Sequence, residues 1–141
     1  MKQTRTYDSK KVLISLGPHT VTGLADDSFL SIEPNGDGVS KKVGCDGEIV
    51  RSLDPDTSAK VSLTVLYGSS TAAFCQKQYK KDYDTGEGIF PLLIKDLKGG
   101  LLFSAPEAWV IKMYNREFGK ESNNCEIEID TGAATWDEEG A

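Results

Sequence analysis

The sequence predicts a mainly antiparallel β fold, a β-sandwich or barrel-like sheet, with one α-helix. Three observations carry this. Apolar residues alternate with polar ones over short runs, the period-2 pattern of half-buried strands. Gly, Asp, Asn and Pro fall between the runs as turn residues. Only one stretch has apolar residues at helical spacing. A chain of 141 residues suits one domain, 1–141, able to bury a core without a disulfide or metal staple. Loose ends are expected at 1–6 and 132–141.

The first strand is "KVLISLG", with Val12, Ile14 and Leu16 on one face. "PHTVTGLA" and "SFLSIEP" follow as strands, with a turn at "DDS" between them. "NGDGVS" supplies turn residues at Asn35-Gly36 and Asp37-Gly38. "GEIVRSL" and "AKVSLTVLY" flank "DPDTS" and read as a hairpin with a wide loop. In the second run Val61, Leu63, Val65 and Tyr67 share the core face, and Ser62 and Thr64 the wet one.

The helix is expected over 70–81. Ser69 or Ser70 caps it, Ala72, Cys75 and Tyr79 lie near one face, and Lys77, Lys80 and Lys81 suit its C-terminal dipole. "GIFPLLIKDL", "GGLLFSA", "EAWVIKMY" and "CEIEIDTG" then resume the strands, and "AATWDEEGA" ends the chain, anchored by Trp136.

Charge excludes one class of function. The net charge is −6, and residues 121–141 hold seven acids (Glu121, Glu126, Glu128, Asp130, Asp137, Glu138, Glu139) and no Lys or Arg. No basic stripe of the kind that grips nucleic-acid phosphates is present. No apolar run reaches the ~18 residues of a membrane helix, and "MKQTRTYDSKK" lacks the apolar segment of a signal peptide. Cys45, Cys75 and Cys125 are odd in number, widely spaced and without a C-x-x-C, as expected of reduced, mostly buried thiols.

Catalytic patterns are missing. His19 is the single histidine and reads as a turn or strand-edge residue. "GSSTAA" lacks the glycine spacing and Lys of a phosphate loop. "DPDTS" (Asp54, Asp56) and "DYDTGEG" (Asp82, Asp84, Glu87) faintly resemble calcium loops without completing the pattern. Trp109, Trp136, Tyr67, Tyr79 and Tyr83 could form a sugar platform, but their strand placement points to packing. No catalytic residue, metal or cofactor is expected.

The residues "VGCDGEIVRSLDPDTSAKVSLTVLYGSS", preceded by "FLSIEPNGDG" and followed by "FPLLIKDLKG", "AWVIKM" and "EFGKE", resemble the tail tube proteins of contractile-tailed bacteriophages. The resemblance runs from about Tyr7 to Asp130. Two departures stand out: Cys45 occupies the turn where a small residue such as Ala or Val is usual, and "VLYGSS" replaces a Gln-Thr-Ser ending.

The resemblance implies a structural virion protein, assembled in the host cytoplasm, whose six-fold rings stack into the hollow inner tube of the tail. Its implied partners are further copies of itself, the sheath protein, a tape-measure protein, and the tail terminator and baseplate proteins. DNA passes through the lumen without being held. Asn35, Asp37, Lys41, Lys42, Asp46 and Glu48 are the implied inter-subunit, ring-stacking segment, a long connection over 35–48. Ser62 and Thr64 are the implied lumen wall, expected to be free of Lys and Arg. The alternatives are a tube component of a bacterial contractile secretion or tailocin-type particle, and a monomeric β-sandwich module that binds carbohydrate or calcium.

Overall fold

The computed structural model describes residues 4–26 and 28–138. Among these residues ten strands form: β1 (Val12–Leu16), β2 (His19–Thr20), β3 (Leu30–Pro34), β4 (Val39–Val43), β5 (Ile49–Leu53), β6 (Ala59–Val65), β7 (Phe90–Asp96), β8 (Leu102–Val110), β9 (Cys125–Thr131) and β10 (Thr135–Asp137). One helix, α1 (Ser70–Thr85), joins β6 to β7. The mainly antiparallel β class with a single helix is as expected.

Eight strands make one antiparallel sheet in the order β2-β1-β7-β8-β9-β6-β3, with β10 paired to β8. The path does not close, so β2 and β3 stand at its ends. β8 turns the sheet over on itself. One edge of β8 follows β7, while the other pairs first with β10 (Leu102–Ser104) and then with β9 (Ala108–Val110). Both wings feed one core, Ile14, Leu16, Leu92, Ile94 and Phe103 from one, Val61, Leu63, Val65, Ile127 and Ile129 from the other.

Strand alternation decides what enters that core. In β6 Val61, Leu63 and Val65 are buried, and Lys60, Ser62 and Thr64 alternate with them on the outer face. Tyr67 leaves the pattern: β6 ends at Val65, and the Tyr67 ring is 65% exposed beyond it. "PHTVTGLA" keeps only His19–Thr20 as strand, followed by a bridge from Leu24 to Val65. "GGLLFSA" and "EAWVIKMY" are the single strand β8, not two. Pro106 stands where the register shifts, because the missing ladder donor is tolerated at such a bulge.

The helix begins where the sequence indicates and ends later. The Ser69 hydroxyl accepts from the Thr71 amide as N-cap, and Thr71, Ala72 and Cys75 are buried. The last turn is 82–85, so Lys80 and Lys81 lie before it, and the helix stops at Gly86, whose φ of 74° suits the left-handed C-terminal position. Burial pushes the Cys75 thiol up to about 12. Trp136 sits in β10 and packs edge-on against Phe103, 4.8 Å between centroids. Of the ends expected to be loose, residues 1–3 and 139–141 lie outside the described residues, as does Asp27 of the "DDS" turn.

Candidate assembly surfaces

The opening of the candidate segment is a hairpin root. The Asn35 amide donates to Ser58 O (3.0 Å), and its side-chain nitrogen reaches Ser58 Oγ and Asp130 Oδ1, each at 3.1 Å. The Asp37 amide donates to Asp54 Oδ2 (2.8 Å), and Asp54 Oδ1 accepts from the Asp56 amide (2.9 Å). These two amides, Asp37 first, hold the Asp54 carboxyl below its ordinary value. Asp56 Oδ1 in turn accepts from the Ser58 amide (2.9 Å). The acids of "DPDTS" therefore bind backbone amides. Gly36 runs so close to this strap that a Cβ would collide with Asp56 O.

From the root rises a two-stranded ribbon separate from the main sheet. β4 pairs only with β5, in the register Val39↔Leu53, Ser40↔Ser52, Lys41↔Arg51, Lys42↔Val50 and Val43↔Ile49. The tip is a turn, Gly47 N to Gly44 O (3.0 Å) inside Gly44 N to Glu48 O (2.8 Å), with Asp46 Oδ1 accepting from the Glu48 amide (3.1 Å). Residues 35–48, expected as a long connection, are thus the root, first arm and tip of a hairpin. β5 turns back on β4, so the hairpin expected across "DPDTS" does not form. Asp54 and Asp56 instead strap the root, which lets β6 pair with β3 and β9.

All ten ribbon residues are exposed. Pairing and alternation put Val39, Val43, Ile49 and Leu53 on one face, around a cationic rung of Lys41 and Arg51. These apolar side chains are 55–71% exposed. Lys42 lies on the opposite face with Val50, Ser40 and Ser52. A two-stranded ribbon alone in water is marginal, and an apolar face of this kind marks a contact surface. Sequence reasoning placed Lys41 and Lys42 here but missed Arg51 and the apolar residues. The signal was available: apolar alternation on both sides of "GCDG".

The second surface is the outer face of β3, β6 and β9. Ser62 lies between Ser31 and Glu128, and Thr64 beside Glu126. The next rung is Glu33, Lys60 and Asp130. Ser62 and Thr64 are half-buried on this polar, mostly acidic face, which is not free of cations. Lys60 lies 3.5 Å and Lys112 3.9 Å from the Glu128 carboxylate.

The remaining candidates resolve into packing. His19 Nε2 lies 3.0 Å from Thr71 Oγ1, and its ring stacks on Phe74 at 4.9 Å, so it pins the start of α1. Asp82 Oδ1 accepts from the Gly88 amide at the helix end (3.4 Å). Cys75 and Cys125 are buried, and Cys45 is exposed at the ribbon tip. A groove of about 390 Å³ lies between α1 and residues 114–118, where Arg116 bonds Gln76 Oε1 (2.9 Å) and covers the Tyr114 ring. Among the described residues no three His, Cys, Asp or Glu side chains gather as a metal site requires, and no helix is long and apolar enough to cross a membrane.

No family profile matches the chain. It is 26% identical over 146 residues to structural protein ORF10 of Pseudomonas phage KPP10, covering 98% of this chain and 84% of that protein. Among solved structures it is similar to a chain of the anti-feeding prophage tube-terminating cap, with TM-score 0.61 at 11% identity over 96% of this chain and 93% of that one. A chain of a native gene transfer agent virion gives TM-score 0.61 at 16% identity, over 93% and 98% of the two chains. A chain of the sheath/tube terminator structure of an extracellular contractile injection system, PVC, gives 0.61 at 10% over 94% and 97%. At these identities the likeness establishes a shared fold.

Proposed function

We propose that this chain is a structural, non-catalytic protein of a phage tail or related contractile particle, closing with copies of itself into a six-fold ring on the tail axis. The β4–β5 ribbon carries this reading. It is an apolar, cation-centred surface that none of the described residues of its own protomer covers, and a neighbouring copy supplies the missing contact. Identical head-to-tail contacts of this kind close into rings when the rotation allows. Pairing between protomers also removes the open edges that β2 and β3 leave in the isolated sheet.

The leading form of the reading is the inner tube, with rings stacked beneath a sheath, a tape-measure protein inside, and terminator and baseplate proteins at the ends. The acidic face of Glu33, Glu126, Glu128 and Asp130 then lines the lumen with Ser62 and Thr64. Lys60 and Lys112, both near Glu128, would offer DNA phosphates little free positive charge. A second form, a terminator ring that caps the tube, is favoured by the likeness to the cap and terminator structures. Electron microscopy of the purified chain separates the two: stacking into long tubes supports the tube protein, and single rings that do not stack support the terminator.

A further inference from the structure

A second unpartnered surface lies on the flank of the molecule, where the folded-over sheet stays open. Between β3 and the β1–β7 wing, with β10 alongside, runs a groove of about 670 Å³. Its apolar lining includes Phe29, Leu30, Ile32, Ile94, Leu101 and Trp136. Leu30 and Ile32 are half-buried, and Trp136 is 40% exposed. The titratable carboxyls of the lining are Asp26, Asp96 and Glu138; Tyr7 is also present, and among the described residues no Lys, Arg or His lines it, Arg5 and Lys98 lying in the adjoining hollow beyond Tyr7 and Asp96.

Backbone adds a second kind of complementarity. Among the described residues β3 pairs with β6 alone, and the bonds Thr64 N to Phe29 O and Asn35 N to Ser58 O fix which residues face that partner. By antiparallel alternation, the N–H and C=O groups of Leu30 and Ile32 point to the open side. Pro34, lacking an N–H, ends that free edge.

We infer that this groove is the dock for the β4–β5 ribbon of a second copy of the chain. The match is apolar to apolar and cation to anion: Val39, Val43, Ile49 and Leu53 meet the groove floor, while Lys41 and Arg51 meet the carboxylates of its rim. The open edge of β3 offers the incoming arm hydrogen bonds as well. The groove beside α1 is the poorer fit, because its lining already holds the Arg116 guanidinium with a single acid, Glu117. This assignment rests on the ring-forming reading but specifies where the contact lies. It links protomers head to tail, ribbon to groove, without using either surface twice.

The test uses full-length chains in a Cys45→Ser background, where the two native thiols left are buried. One population carries Lys41→Cys in the ribbon and the other Ser28→Cys at the groove. They are mixed under mild oxidation while assembly is followed by sedimentation and microscopy. The expected result is a disulfide between chains, at least about tenfold more abundant than with Phe118→Cys beside α1 as the second population. In parallel, Lys41→Glu with Arg51→Glu should raise the concentration for half-assembly at least about tenfold, since like charges then oppose. Asp26→Lys with Glu138→Lys should restore it. Assembled particles that crosslink instead to Phe118→Cys, that crosslink only between chains of the same population, or that ignore the charge exchange overturn the dock and leave the ring reading standing. A chain that never assembles overturns both.

Discussion

Trimming the ribbon should separate assembly from folding. Consider Ile49→Ala with Leu53→Ala, two side chains 59% and 71% exposed in the free protomer. Alanine removes about three carbon groups from each, and burying such a group contributes ~0.8 kcal/mol. Scaled by exposed fraction, the losses are about 1.4 and about 1.7 kcal/mol for each contact buried on docking. Together they reach about 3 kcal/mol, or ~150-fold in the association constant of one contact. The protomer itself should not notice. β4 and β5 pair with no other strand, and neither residue touches the core cluster, so its stability should stay within ~0.5 kcal/mol. Sedimentation velocity over a concentration series gives the first quantity and thermal melting by circular dichroism the second. An unchanged assembly midpoint would refute the ribbon as an interface. A melting temperature lowered by several degrees would show that the ribbon packs on its own protomer.

Other consequences follow from single groups. In the folded chain one thiol in three should react quickly with a disulfide reagent, because Cys45 is exposed and Cys75 and Cys125 are buried; rapid titration of two would contradict the core. The Thr131 hydroxyl accepts from the buried Ala59 amide at 3.0 Å, so Thr131→Val should cost about 1–3 kcal/mol by leaving that donor unpaired, read as a melting temperature roughly 3–10 °C lower. Asp54, held below the ordinary value of 3.8, should stabilise the ribbon root fully above that value. The contribution should vanish as pH falls through the lowered folded value. Hydrogen exchange at the Asp37 and Asp56 amides checks this, and protection unchanged under fully protonating conditions would contradict it.

Much of the fold was legible because its signals are local. The alternation of Val12, Ile14 and Leu16, and of Val61, Leu63 and Val65, reports burial directly. Ser69 announces the helix through its own cap. The end of α1 was harder to place, since "DYDT" offers no apolar face and only Gly86 stops the turn. "GGLLFSA" and "EAWVIKMY" read as two strands because their union across Pro106 depends on a bulge opposite β7, a non-local feature.

The candidate site was half legible for a related reason. "DPDTS" has the composition of a hairpin loop, but its carboxylates strap backbone amides at the ribbon root. Alternation also shows that Val39, Val43, Ile49 and Leu53 share a face without showing whose core that face meets. Among the described residues of this protomer it meets none.

The claim that most needs testing is closure into rings through the chain's own surfaces. Negative-stain electron microscopy of the purified full-length protein over a concentration series addresses it directly. Rings of uniform diameter with six-fold class averages are expected, stacked or single. Lone compact particles at every concentration would contradict the account.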